Sequence, residues 1–280
     1  MIALFLSHIF INAGMKVFDQ ADNPMNLFWV FITILSMTII ILLIAKFWKR
    51  RLIQIIILFA VGYTSFYIFL PLFSLIFSNL IVTVFLSVII SLCLVVVLFI
   101  YPEWYIIDLC GIIIGAGAIA LFGISLSILL VLILLIGLAV YDAISVYTTK
   151  HMIDLADTVM DLKLPVLLVI PKIRHYSILK ETKRLKDKLQ NEEEREAFFM
   201  GLGDVVMPGI LVATSYTSIP NGLPIALTVL LGTLIGFAIL MIFVVKGKPQ
   251  AGLPLLCSGA ILGYLISNYV FFGTIMGLGF

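Results

Sequence analysis

Long apolar runs, each broken by a few polar residues, cover most of the chain. A helix that crosses a lipid bilayer needs about 20 apolar residues, and runs of that length predict nine spans. The apolar run 105–140 is too long for one crossing, so we expect a turn at 122–125. Further turns are expected at Pro71, at 220–224 and at 246–249. The predicted spans are 1–18, 26–46, 52–71, 80–100, 104–122, 126–149, 198–217, 222–245 and 251–273.

One long polar segment, residues 150–197, separates the first six spans from the last three. Its first part, 151–162, has apolar residues on one helical face and predicts an amphipathic helix at the membrane surface. The run 165–171 is short, rich in β-forming residues and bounded by prolines, so it predicts a strand. Residues 180–196 mix Lys, Arg and Glu and indicate a solvated segment. The chain therefore divides into spans one to six (1–149), a polar loop (150–197) and spans seven to nine (198–280).

The composition requires a lipid environment. Of the residues, 63% are hydrophobic and 11% are charged, whereas soluble domains are about half apolar and about a quarter charged. No soluble core of this size can bury so much apolar surface, so the predicted fold is an all-α, multi-pass membrane protein. The net charge of +2 gives no reason to expect a nucleic-acid partner. Cys93, Cys110 and Cys257 stand in apolar runs at unrelated spacings, so we interpret them as packing residues and expect no disulfide or metal framework.

The basic residues orient the predicted spans, because positively charged loops are retained in the cytoplasm. With nine spans, sixteen of the 17 Lys and Arg residues fall on the same side as the N-terminus. They lie in the loop after span two, in the 150–197 loop and in the loop after span eight, and only Lys16 lies on the other side. The N-terminus and the 150–197 loop are therefore predicted to be cytoplasmic, and the C-terminus is predicted to lie outside.

Two carboxylates stand well inside predicted spans: Asp142 in span six and Asp204 in span seven. A charged Asp at the centre of a membrane helix costs about 2.5–3.5 kcal/mol, so such residues persist where they are paired or functional. Counted from the predicted inner helix ends, both lie about 10 Å deep. The two helices are consecutive and antiparallel, which makes a facing pair of carboxylates possible. Gly201 and Gly203, just before Asp204, would allow another backbone to approach closely.

Two classes of function use paired carboxylates inside a membrane. In an aspartic hydrolase the two carboxyls share one proton: the ionised one activates a water and the neutral one protonates the leaving group. In a transporter or leak channel, the same two residues would relay protons or ions. Either Asp alone could also be a structural hydrogen-bonding residue. A zinc or serine hydrolase is disfavoured, because the three histidines are scattered and none opens a His-Glu-x-x-His motif.

Three short motifs favour the hydrolase. Tyr141-Asp142 resembles the YD motif of presenilins and signal peptide peptidases, and Gly201-Leu202-Gly203-Asp204 resembles their GxGD motif. The third motif of that family is Pro-Ala-Leu at the start of the last helix. Here Gly252-Leu253-Pro254-Leu255-Leu256 stands in its place, with Leu255 where the family has Ala. The chain resembles this family over nearly its whole length and looks most similar to archaeal presenilin homologues.

The resemblance implies a nine-helix intramembrane aspartyl protease whose catalytic pair is Asp142 and Asp204. Its substrates would be single-span membrane proteins, here expected to have the N-terminus outside, and it needs no metal or organic cofactor. The family is thought to pair an unwound substrate as a strand, and the 165–171 run is a candidate partner for that strand. The residues implied to contact the substrate are Tyr141, Gly203, Pro254, Leu255 and Leu256.

Overall fold

The structure, a computed structural model of the 280-residue chain, describes residues 1–47, 50–146, 167–172, 197–245 and 251–273. Within these ranges the chain forms nine α-helices and two β-strands. The first six helices are α1 (Ile2–Asn12), α2 (Met25–Phe47), α3 (Arg50–Ser74), α4 (Leu80–Ile100), α5 (Trp104–Ser125) and α6 (Ile128–Ile144). Two strands follow, β1 (Leu167–Pro171) and β2 (Ala197–Gly201), and then α7 (Leu202–Ser218), α8 (Leu223–Val245) and α9 (Gly252–Phe272).

The helices have the length and composition of membrane spans. Five of them, α3, α4, α5, α8 and α9, are long and apolar enough to cross a bilayer. Three shorter apolar helices correspond to α1, to the 25–40 part of α2 and to α6. The predicted number of helices is thereby confirmed within the described residues, and the chain is a multi-pass membrane protein of the all-α class.

Several helix ends differ from the predicted spans. Helix α1 ends at Asn12 rather than at residue 18. Helix α3 continues through Pro71 to Ser74. Membrane helices tolerate proline where side chains or neighbouring helices satisfy the freed backbone groups, and the Ser74 hydroxyl donates to the Pro71 carbonyl at 2.8 Å. Helix α5 ends at Ser125, so the turn lies at 126–127 rather than at 122–125. The Ser125 hydroxyl secures this end: it accepts a hydrogen bond from the Val17 N–H at 2.8 Å and donates one to the Leu121 carbonyl at 2.6 Å.

The two strands form an antiparallel hairpin that the sequence predicted only in part. The predicted strand at 165–171 is confirmed over Leu167–Pro171. Residues 198–201 were expected to begin span seven, but they belong to β2, which pairs with β1 in the register Val169↔Phe199. The predicted amphipathic helix at 151–162, the charged segment at 180–196 and the turn at 246–249 lie outside the described residues.

The chain forms two compact units. The first comprises 1–31, 118–152 and 203–280, and the second comprises 32–117 and 153–202. In the first unit, α9 packs against α6 and α8.

The contact between α8 and α9 is made by backbone atoms at glycines. A methyl group on Gly236 would lie 2.5 Å from the Leu255 carbonyl oxygen, and one on Gly263 would lie 2.6 Å from the Thr228 carbonyl oxygen. Since only glycine permits such close approach, these residues seat α9 directly on the backbone of α8.

The second unit has an apolar core between α3, α4 and α5 and carries the hairpin. The core residues are Leu58, Val61, Leu98, Ile107 and Cys110. The hairpin buries Val169 and Ala197, one residue from each strand, and packs them against Trp104 at the start of α5 and against Phe199. One turn after Trp104, the Asp108 carboxylate accepts a hydrogen bond from the Val169 N–H at 2.8 Å. An indole ring and a carboxylate on one face of α5 therefore hold the hairpin.

Candidate active site

Asp142 lies near the end of α6, two residues before Ile144. Its side chain is buried, with 8% of its surface exposed. One carboxylate oxygen, Oδ2, accepts a hydrogen bond from the Leu253 N–H at 3.2 Å. Leu253 is the second residue of α9, and the first N–H groups of a helix have no partner within the helix. The start of α9 therefore uses a free backbone donor to hold the Asp142 carboxylate.

Asp204 lies at the start of α7, two residues after Leu202. The strand β2 ends at Gly201, so the chain passes from strand to helix immediately before this acid. Pro208 lies inside α7 and is buried. Because proline has no N–H, the helix lacks the hydrogen bond that residue 208 would otherwise donate to the Asp204 carbonyl.

The two carboxylates meet the same end of the same helix. A methyl group on Gly252, the first residue of α9, would lie 2.7 Å from Oδ2 and 3.3 Å from Cγ of Asp204. Asp142 is bonded to the next residue, Leu253. The structure therefore brings Asp142, Asp204 and the first turn of α9 together.

The helix ends at the two acids differ from those predicted. Part of span seven is β2, which moves the start of α7 to Leu202, and α6 is described as α-helix to Ile144. The depth of Asp142 and Asp204 in the membrane stays a prediction.

The other residues expected at the site have different surroundings. Tyr141 is 64% exposed, on the outer face of α6. Gly203 faces open space, with no atom within 4 Å of a methyl group placed there. Pro254 and Leu255 are partly exposed in the first turn of α9. The side chain of Leu256 is only 2% exposed and belongs to the core.

Sequence reasoning did not name Gly252 and Leu253 as site residues. The sequence does show a glycine directly before the Leu-Pro-Leu-Leu stretch at the start of the last span, which is typical of a close approach. Which side chain approaches that glycine is decided only by the fold. Among the described residues, no group of three or more His, Cys, Asp or Glu side chains is arranged as a metal site.

The fold and the site define a multi-pass membrane protein with two acids paired at one helix end. A family profile described as signal-peptide peptidase, presenilin aspartyl protease, matches residues 1–274. The chain therefore belongs to this family of aspartyl proteases.

Solved structures agree with the family assignment. A structure of a presenilin family intramembrane aspartate protease in space group P2 is 35% identical, with a TM-score of 0.70, and the match covers 96% of this chain and 92% of that chain. A structure described in the same words in space group C222 is 34% identical, with a TM-score of 0.66, and the match covers 95% of this chain and 90% of that chain. No curated protein shows significant similarity to the chain.

We expect Gly252→Ala to lower the rate of proteolysis about 10- to 100-fold, because the new methyl group would displace the Asp204 carboxylate. The measurement is cleavage of a single-span reporter by purified protein in lipid, with thermal unfolding to verify that the variant is folded. Leu262→Ala, an exposed position further along the same helix, is the matched control and should keep the wild-type rate. A wild-type rate for Gly252→Ala would contradict the importance of this contact.

Proposed function

We propose that Asp142 and Asp204 are the catalytic pair of an intramembrane aspartyl endopeptidase that hydrolyses peptide bonds within the membrane segments of other proteins. One observation carries this proposal: both carboxylates lie against consecutive residues, Gly252 and Leu253, at the start of α9. Two acids at one helix end would act as a unit. Membership of an aspartyl protease family supports the same chemistry.

The pair would carry one proton between two carboxyl groups. The ionised carboxylate removes a proton from a water, and the water oxygen attacks the carbonyl carbon of the scissile peptide bond. The neutral carboxyl donates a hydrogen bond to the oxygen on which negative charge develops. As the C–N bond breaks, a proton passes from the carboxyl pair to the leaving nitrogen, so the products are a new carboxyl group and a new amine.

The residues proposed to contact the substrate are exposed or border open space. Gly203 stands directly before Asp204 and faces open space, so a substrate backbone could approach there. Pro254 and Leu255 are partly exposed in the helix turn that holds the acids, and we propose that they contact the substrate, as we do for the exposed Tyr141. Leu256 would contribute by packing α9, because its side chain is buried.

The hairpin would supply a strand with which an unwound substrate pairs. Of its two outer edges, the edge of β1 offers few backbone N–H donors. In an antiparallel pair, alternate residues direct their N–H groups to the partner strand. The Val169 N–H donates to the Asp108 carboxylate rather than to β2. The backbone N–H groups of Val169 and of the residues two positions before and after it therefore point to the outer edge of β1. One of these residues is Pro171, which has no N–H.

The outer edge of β2 is richer in donors. Val169 pairs with Phe199, so Ala197, Phe199 and Gly201 turn their N–H and C=O groups away from β1. No third strand borders β2 within residues 1–47, 50–146, 167–172, 197–245 and 251–273. We therefore propose that the substrate adds as a strand to β2, rather than to the 165–171 run considered from sequence alone. β2 is continuous in the chain with α7, the helix that carries Asp204.

The orientation proposed for the protein follows from its basic residues. With sixteen of the 17 Lys and Arg residues on one side of nine spans, the N-terminus and the 150–197 loop would be cytoplasmic and the C-terminus would lie outside. Single-span substrates would then enter with the N-terminus outside.

We expect Asp142→Asn and Asp204→Asn each to lower cleavage of a tagged single-span reporter by about 10²–10⁴-fold, because an amide can neither share the proton nor activate the water. Purified protein in lipid is assayed, with Asp19→Asn, an exposed loop acid, as the control that should retain activity. If the wild type cleaves no reporter but protons or ions cross the bilayer in a manner that needs both acids, the transporter alternative replaces the protease.

Proline scanning of the reporter tests strand addition. We expect single prolines beside the cleavage site to block cleavage at every second position, because a paired strand directs alternate N–H groups to its partner. Alanine at the same positions is the control, and the cleaved fraction is measured for each substrate. A period of three to four residues, or no period, would refute pairing as a strand.

A topology reporter fused within 177–196 should respond as cytoplasmic, because the basic residues of this loop retain it inside. The same reporter fused after Phe280 should respond as external and is the paired measurement. An external response from the 177–196 fusion would reverse the proposed orientation of both the protein and its substrates.

A further inference from the structure

We propose that Asp108 is a positioning residue for proteolysis: its carboxylate anchors β1 to α5 and keeps the outer edge of β1 closed to an incoming strand. This inference rests on the proposed function of the hairpin. Asp108 itself would touch neither the water nor the scissile bond.

The first observation is an acid in an apolar helix with a specific partner. Asp108 is the fifth residue of α5, one of the five helices long and apolar enough to span the membrane. Acids in such helices persist where they are paired or functional. Its Oδ1 accepts the Val169 N–H at 2.8 Å, across 61 residues of chain. A hydrogen bond to a carboxylate is short and strong compared with a neutral one, so this contact gives α5 a firm hold on the strand.

The second observation is that the anchor has two points on one helix face. Trp104 and Asp108 are four residues apart, so their side chains lie one above the other along α5. Trp104 packs on Val169 of β1 and Ala197 of β2. The apolar contact holds both strands against α5 but does not fix their position along it. The hydrogen bond fixes that position, because it is made to a single N–H of β1.

The third observation connects the anchor to the reaction. Gly201 ends β2, Leu202 begins α7, and Asp204 is the third residue of that helix. No residue separates the end of the strand from the start of the helix. A hairpin that slides or tilts on α5 would therefore move the chain just before Asp204, together with the β2 edge proposed to bind the substrate.

The anchor also prevents a competing arrangement. An edge strand with free N–H groups is a ready partner for another extended chain. On the outer edge of β1, Asp108 occupies the donor of Val169, and Pro171 supplies none. Without the carboxylate, the Val169 N–H in the middle of that edge would be free to bind another strand. A substrate paired there would present a different peptide bond to the acids.

The test compares Asp108→Ala with Asp108→Asn, whose amide oxygen can still accept the Val169 N–H. Leu109→Ala, an exposed position next along α5, is the matched control, and Asp108→Leu replaces Asp108→Ala if the smaller residue prevents folding. Two quantities are measured in lipid: hydrogen exchange of the segment around 167–172 without substrate, and kcat, KM and cleavage positions for a single-span reporter.

We expect Asp108→Ala to speed amide exchange in β1 about 10-fold or more. We also expect it to lower kcat more than it raises KM, and to spread cleavage over additional positions. Asp108→Asn should restore protection and the wild-type cleavage position, and Leu109→Ala should change neither. A merely structural role would lower the amount of active enzyme without moving the cleavage position.

Unchanged exchange in a folded Asp108→Ala protein would overturn the anchor. Faster exchange with unchanged kcat and unchanged cleavage positions would overturn the positioning role. If the wild type cleaves no reporter, the proposed protease function fails and the positioning role fails with it. The exchange measurement still decides the anchor in that case, so the two failures are distinguishable.

Discussion

The paired carboxylates depend on the first turn of α9, because acids among apolar helices need polar partners that belong to the protein. Lipid offers no hydrogen bonds, so an unpartnered acid there is costly. The first N–H groups of a helix lack internal partners and form its positive end. Here the Leu253 N–H binds Asp142, and the absence of a side chain at Gly252 admits Asp204. One helix end therefore binds the first acid and leaves room for the second.

That helix end is held in place by backbone contact along α8. Gly232 and Gly259 lie against each other's backbone, and Gly236 lies against the backbone of Leu255, within one turn of the residues that meet the acids. Side chains at these positions would separate the helices. The seating would matter for the proposed role of the two acids, because misplacing a reacting group by about 1 Å can cost about 100-fold in rate. Small residues on α8 thus contribute to the geometry of acids carried by α6 and α7.

The second acid is held differently, at the junction of a strand and a helix. Backbone that is not helical must find its hydrogen bonds elsewhere when lipid surrounds the protein. The β1–β2 ladder satisfies one edge of β1, and the Asp108 carboxylate satisfies Val169 on the other. The outer edge of β2 is the edge to which we propose that an unwound substrate adds as a strand.

The sequence by itself determined the helices, one strand and the two acids, because these depend on local composition. Apolar length sets a membrane span, β-forming residues between prolines set β1, and an acid inside an apolar run is conspicuous wherever it occurs. Tertiary structure alone decided that residues 198–201 are a strand, since this apolar segment continues without a break into an apolar helix and only pairing with β1 distinguishes it. It also decided that Gly252 and Leu253, rather than Leu256, meet the acids. Such contacts join residues that are distant in the chain, and no local pattern of hydrophobic and polar positions encodes which of them come together.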